Sequence, residues 1–255
     1  MGDQALIVHV RAAYVESRCT YGWPRLWLDL RAKGIAVGKH RLHKLMQRHG
    51  IRGKHKRRYR AAPSETAHGR SIAPNLLERQ FDVAEPNKVW VGDITCIWTD
   101  EGWLYLAVVL DLFSRQVVGW SVSKDMTRAL AMQAMRMAWL RRRPQMGSGL
   151  LFHSDQGSQY ASNDYVALLK SYGITPSMSR RGNCWDNACS ETLFGSMKIE
   201  EVEGRRFQTR RDAQVAVLDW LRWYNRSRRH STLAYVSPMK FEEDWHAARA
   251  ASASQ

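Results

Sequence analysis

The amino-acid sequence predicts an α/β protein, a mixed five-stranded sheet with flanking helices behind a small all-helical front segment. Three observations carry that expectation. Consecutive β-type runs begin near residue 86, the chain then alternates helix and strand to give the order βββαβαβα, and the residues ahead of them show helical periodicity. With 255 residues, 44% hydrophobic and 25% charged, the chain can bury a sizeable core and has an ordinary globular composition.

The front segment reads as three short helices. Residues 4–18 mix apolar and basic side chains. YGWPRLWLDLRAKG places Pro24 near a first helical turn, sets Leu26 and Leu30 one turn apart and stops at Gly34. GKHRLHKLMQRHGI gathers Leu42, Leu45 and Met46 on one face, leaves Arg41, Lys44 and Arg48 on another, and closes at Gly50. The tight GIAVG connection makes the last two a helix-turn-helix pattern whose second helix could enter a major groove, a pattern any small three-helix bundle shares. His40 and His43, three apart, suggest zinc, but no paired cysteines answer them.

KVWVGDITCIW and WLYLAVVLDL flank the turn TDEG, and QVVGWSV follows, so three strands form an antiparallel meander. TRALAMQAMRMAWLRRR is a helix capped at Thr127 with a basic end, LLFHSD a short buried strand, SNDYVALLKSYG a helix capped at Ser162, and ITPSM the last strand. DNACSETLFGSMKIE, TRRDAQVAVLDWLRWYNRSRRH and SPMKFEEDWHAARA are helical, and the final ASASQ frays. Four segments result: a helix-turn-helix domain at 1–60, a basic and polar linker at 61–84, the sheet-bearing core at 85–205 and a helical extension at 206–255.

The formal net charge is +15, and residues 1–80 hold 17 basic and 5 acidic residues, so the front third carries +12 of it. Six Lys or Arg lie within residues 51–60, an arm suited to tracking phosphates. The asymmetry points to a polyanion such as nucleic acid, because Lys and Arg that neutralise phosphates gain affinity from counterion release; a merely basic, soluble protein is the alternative. No stretch nears the ~18 apolar residues of a membrane span, and the four cysteines form no CxxC pair, which fits a reduced, cytoplasmic setting.

Two aspartates stand where strands disfavour them: Asp93 inside VWVGDITCIW and Asp155 at the end of LLFHSD. In neighbouring strands both would emerge at one edge, and Glu191, 35 intervening residues beyond Asp155, is a third acid within reach. Like charges are tolerated together where a divalent cation binds, and Asp/Asp/Glu oxygens suit Mg²⁺ or Mn²⁺, two ions serving phosphoryl transfer. Taken singly, Asp155 could form an Asx-turn with Gly157, Asp93 could pair with a base and Glu191 could face solvent. Lys198, seven residues after Glu191, shares its helix face and could hold a phosphate. His153 reads as a packed core histidine, Asp111 as a turn or cap residue beside the site, and Asp186 as the cap of the helix carrying Glu191.

In order and spacing, VGDITCIW, VVLDLFSRQVVGW, FHSDQGSQYAS, WDNACSETLFGSMKIE and WYNRSRRHSTLAYVSPMKFEE resemble the OrfB-type transposases of the bacterial insertion sequence 3 family, relatives of retroviral integrases. The resemblance spans residues 20–245 and implies an RNase H-like catalytic core with a DDE triad, here Asp93, Asp155 and Glu191. It also implies a front helix-turn-helix like the family's YGxRR segment, with Pro24 where a basic residue is usual. The family's SPYDNA stretch stands here as NCWDNA, and its aromatic pair after the glutamate as Thr192 and Leu193. Nothing matches the His/His/Cys/Cys zinc domain of retroviral integrases.

By this resemblance the chain cuts a strand at the element's end and uses the freed 3′ hydroxyl to attack a second phosphodiester, first at the same element's other end. Lys198 and the cluster Arg228, Arg229 and His230 would position phosphates; Arg41, Lys44 and Arg48 would engage the duplex. Implied partners are terminal inverted repeats, target DNA, an upstream-frame product or fusion, and further copies of the chain in a nucleoid-associated complex. An RNase H-type or junction-resolving nuclease and a non-catalytic DNA-binding regulator are the competing classes.

Overall fold

The computed structural model describes residues 1–54, 69–180 and 184–253. The basic run from residue 55 and the polar stretch to residue 68 lie outside the described residues, as does the start of the NCWDNA segment. Three front helices, α1 (Asp3–Glu16), α2 (Trp23–Ala32) and α3 (Lys39–Arg48), enclose Leu6, Val10, Leu26, Leu30, Leu42, Leu45 and Met46 in one apolar cluster. The expected stops hold: Gly34 and Gly50 follow α2 and α3 at φ +75 and +66, which a side chain would oppose.

β1 (Val89–Thr99), β2 (Gly102–Asp111) and β3 (Val117–Ser123) form the antiparallel meander; β4 (Leu151–Ser154) and β5 (Thr175–Met178) run parallel to β1 on its other side. The order β3-β2-β1-β4-β5 puts β1 at the centre of a mixed five-stranded sheet. Successive residues of β2 point to opposite faces. Leu104, Leu106, Val108 and Leu110 join one cluster with α6 (Ala188–Met197) and α7 (Arg210–Arg226), while Ala107 and Val109 join another with α4 (Arg128–Arg142) and α5 (Asn163–Ser171). Cover on both faces explains why YLAVVL is a continuous apolar run.

α7, placed by sequence in a separate extension, buries Ala213, Val217, Trp220, Leu221 and Tyr224 in the same cluster as the sheet. α8 (Pro238–Ala253) starts at its proline and continues through residues 251–253, where fraying was expected. Ser162 caps α5 by accepting from the Tyr165 amide, but Thr127, at the expected cap of α4, makes no capping bond. The helix expected over DNACSETLFGSMKIE is three pieces: a 3-10 turn (Cys184–Asn187), α6, and a π-helical turn (Lys198–Val202). Among the described residues no helix is long and apolar enough to cross a membrane.

Candidate active site

The site is built on the parallel pairing of β1 with β4. Gly92 lies opposite Ser154, so Asp93 and Asp155, each one residue further, leave the paired region at the same level. Glycine lets the Phe152 ring lie against the strand there: a Cβ on Gly92 would meet that ring at 2.3 Å and force it to shift. Asp93 is half-buried, and its Oδ1 accepts from the Ile94 amide at 2.7 Å. Asp155 Oδ1 accepts from the Gly157 amide at 3.0 Å, so the Asx-turn reading holds for its geometry without removing it from the site. Glu191 sits exposed in the first turn of α6, which is anchored to the sheet through Leu193, Phe194 and Met197.

Burial pushes the Asp93 carboxyl well above the usual carboxylate range, the negative charge of Asp155 raises it further, and that of Glu191 adds to this. The Ile94 amide and the Lys198 ammonium act in the opposite direction. These four side chains therefore share one electrostatic neighbourhood. Tyr160, 3% exposed, lies against it, and its phenol is held well above its ordinary range first by burial and also by Tyr165, Asp93 and Asp155. His153 is fully buried behind the strand end; its Nδ1 lies 2.9 Å from Ser177 Oγ, and burial lowers it from 6.5 to about 4, leaving a neutral core histidine, as expected.

An all-carboxylate donor set with a charge held against repulsion fits a hard divalent cation, which would relieve that repulsion. Among the described residues no group of three or more His, Cys, Asp or Glu side chains is already placed to hold a metal ion, neither the three acids nor a set with His40 and His43. The triad is a neighbourhood of acids in this structure, not an assembled coordination shell.

Several expected roles are corrected by packing. Asp186 does not cap α6: it accepts from Arg180, Arg79 and Asn75. Asp111, by contrast, keeps the turn role expected of it: fully buried, it accepts from the Phe113 amide two residues on, and also from the Asn87 amide and the Trp90 indole. Arg228, expected at phosphates, is 5% exposed and bound bidentately to Glu200 at 2.8 and 2.6 Å. Arg229 is half-buried against Asp29 and the Tyr235 carbonyl. His230 Nδ1 lies 2.8 Å from Thr232 Oγ1; burial, then Arg228, Arg115 and Arg25, lower it to about 4, so it brings no charge to a phosphate at neutral pH. On α3, Arg41 bonds Asp3 at 2.7 Å and Arg48 reaches it at 3.4 Å, while Lys44 is exposed. Tyr160, Glu200 and Glu201 were not singled out by sequence; only the helical pattern around the two glutamates, which turns them inward, hints at them.

A central strand and its parallel neighbour delivering two aspartates, with a glutamate on the helix that packs against them, define an integrase-type nucleic-acid core. Residues 83–184 and 172–238 match two Integrase core domain models, and residues 2–59 an HTH-like domain. Transposase InsF for insertion sequence IS3A of Escherichia coli (strain K12) is 45% identical over 91% of this chain and 80% of its own length. An Insertion element IS600 31 kDa protein of Shigella sonnei is 40% identical over 96% of this chain and 89% of its own. The chain belongs to the IS3 family of insertion-sequence transposases. Its fold is also that of a solved simian T-cell lymphotropic virus intasome chain, with a TM-score of 0.51 and 18% identity over 90% of this chain and 73% of that one.

Proposed function

We propose that this protein is a DDE transposase that cleaves and joins DNA strands at insertion-sequence ends, with Asp93, Asp155 and Glu191 as its catalytic carboxylates. The observation that carries the reading is the register of β1 and β4, which brings Asp93 and Asp155 out at one level beside the helix that carries Glu191; the raised Asp93 carboxyl fits that crowding of acids. These three side chains would hold Mg²⁺, or Mn²⁺, and two ions fit the reaction better than one. Bound there, such ions supply Lewis-acid activation of the attacking oxygen and neutralise the leaving oxygen.

Water attacks the phosphodiester at the element's end and frees a 3′ hydroxyl; that hydroxyl then attacks a second phosphodiester, so one bond forms as one breaks. Lys198 offers an ammonium to a non-bridging phosphate oxygen beside Asp93. The α3 side chains Lys44, Arg41 and Arg48 engage the duplex, Arg41 and Arg48 exchanging Asp3 for phosphate. The substrates are terminal inverted repeats and target DNA in the bacterial nucleoid, approached by several copies of the chain and an upstream-frame partner.

The test uses the purified chain, with and without the upstream-frame product, Mg²⁺ and duplexes carrying candidate element ends. Asp155→Asn should bind these duplexes as wild type does and lose strand joining by at least about 10²–10³-fold, the scale of a lost transition-state electrostatic contact. Joining at wild-type rate in that variant would remove Asp155 from the mechanism.

A further inference from the structure

The π-helical turn Lys198–Val202 continues α6 without a break, so it presents Lys198 and fixes where the Glu191 helix ends. Such turns are rare and recur at functional sites. Within it two successive acids point inward: Glu200 is 8% exposed and Glu201 4%. Glu200 receives Arg228 at both oxygens and the Trp220 indole N–H at 3.1 Å, while its own carbonyl accepts from Lys54 Nζ at 2.7 Å. Glu201 receives Arg18 at 2.7 Å and also pairs with Arg205; the other arm of Arg18 reaches Asp219 on α7 at 2.5 Å. Arg18 lies in the connection between α1 and α2, and Lys54 follows α3. One short turn thus ties the front domain, α7 and the segment after α7 to the helix carrying Glu191.

We propose that Glu200 and Glu201 are positioning residues through which the seating of the front helices, read by Arg18 and Lys54, sets the placement of Glu191 and Lys198. The inference rests on the transposase reading of those two side chains. Buried ionic networks of this kind couple the elements they join, because leaving any one member unpaired is costly. DNA engaging α3 can therefore alter the catalytic helix without touching it.

Glu200→Gln would strand the buried Arg228 charge, so the gentler cut is at the half-exposed Arg18. Arg18→Gln, Glu201→Gln and the double variant are compared with wild type as full chains in two measurements. Hydrogen exchange over residues 188–202, without DNA, should quicken about tenfold in both single variants, as local opening of that turn becomes easier. End cleavage should lose about 10- to 100-fold in kcat, the usual cost of removing a supporting partner, with KM and DNA affinity unchanged. The double variant should fall short of the product of the two single losses, since both cut the shared Arg18–Glu201 tie while each also loses a partner of its own, Asp219 or Arg205.

Unchanged exchange overturns the coupling. Faster exchange with wild-type kcat, or a rise in KM alone, overturns the positioning role and leaves a docking contact. A wild-type chain that cleaves nothing even with the upstream-frame product present defeats the transposase reading instead, while the exchange measurement still decides whether Arg18 controls α6.

Discussion

At Asp186 the chain surrounds a carboxylate with donors; at Asp93 it surrounds one with other carboxylates. Asp186 is 1% exposed and accepts five hydrogen bonds from the described residues, two of them from the Arg180 side chain and one from Arg79. Those partners, Arg180 first, hold it well below the usual carboxylate range. Asp93 accepts from one backbone amide, and burial together with Asp155 and Glu191 holds it well above. Both are withdrawn aspartates in an integrase-type core, but folding gains from the charge on one and is opposed by the charge on the other. A carboxylate that the fold fails to compensate is the one kept for chemistry.

The largest effect that tests this contrast is at Asp186. Asp186→Asn keeps the shape and removes the charge from Arg180 and Arg79. It should cost about 2 kcal/mol, the scale of charged hydrogen bonds, lowered because those arginines are 57% and 44% exposed and screened by solvent. Urea denaturation at pH 7 measures it. The sign with pH follows: a lowered folded pKa gives stability that is present above 3.8 and lost as pH falls below it, so wild type and variant should converge in acid. A variant as stable as wild type at pH 7 would make the Arg180 cluster ornamental.

Asp93→Asn should do the reverse. With the folded pKa raised, the native state holds its proton more tightly than the unfolded chain, so the penalty is absent below 3.8 and grows as pH rises past it. In metal-free buffer at pH 7 the variant should be more stable than wild type, by about 1 kcal/mol or a Tm rise of about 2–4 °C for a chain of this size. The gain should vanish in acid. A loss of stability at neutral pH would mean that Asp93 has a compensating partner and that the contrast with Asp186 is false.

How much of this contrast could be read in the sequence depends on how local its causes are. The meander, the parallel strands and the cap at Ser162 follow from patterns a few residues wide, and so were legible. Asp93 was legible because an acid inside VWVGDITCIW breaks the pattern of its own strand. Asp186 was misassigned as a cap: it does precede α6, but Arg79, 107 residues away, and the Asn75 amide claim it first. Arg228 and His230 sit in a stretch that reads as basic and exposed, yet Glu200 makes one a buried partner, and burial, then neighbouring arginines, keep the other a neutral ring. Charge can be counted along a chain, whereas its compensation is decided by elements that meet only after folding.

The smallest effect is the most discriminating for the site itself. If the repulsion among Asp93, Asp155 and Glu191 is what a cation relieves, Mg²⁺ binds the native chain and not the unfolded one, and stability rises as RT ln(1 + [Mg²⁺]/Kd), about 0.4 kcal/mol when the free ion equals Kd. Wild type should therefore gain Tm progressively with MgCl₂, and Asp93→Asn, lacking one ligand and most of the repulsion, should gain little. Magnesium then narrows the stability gap that the asparagine variant opened, and it should leave Asp186→Asn shifted in parallel with wild type, because Asp186 takes its compensation from arginines. Equal responses in wild type and Asp93→Asn would place the ion elsewhere on the surface and separate the raised Asp93 carboxyl from any metal chemistry.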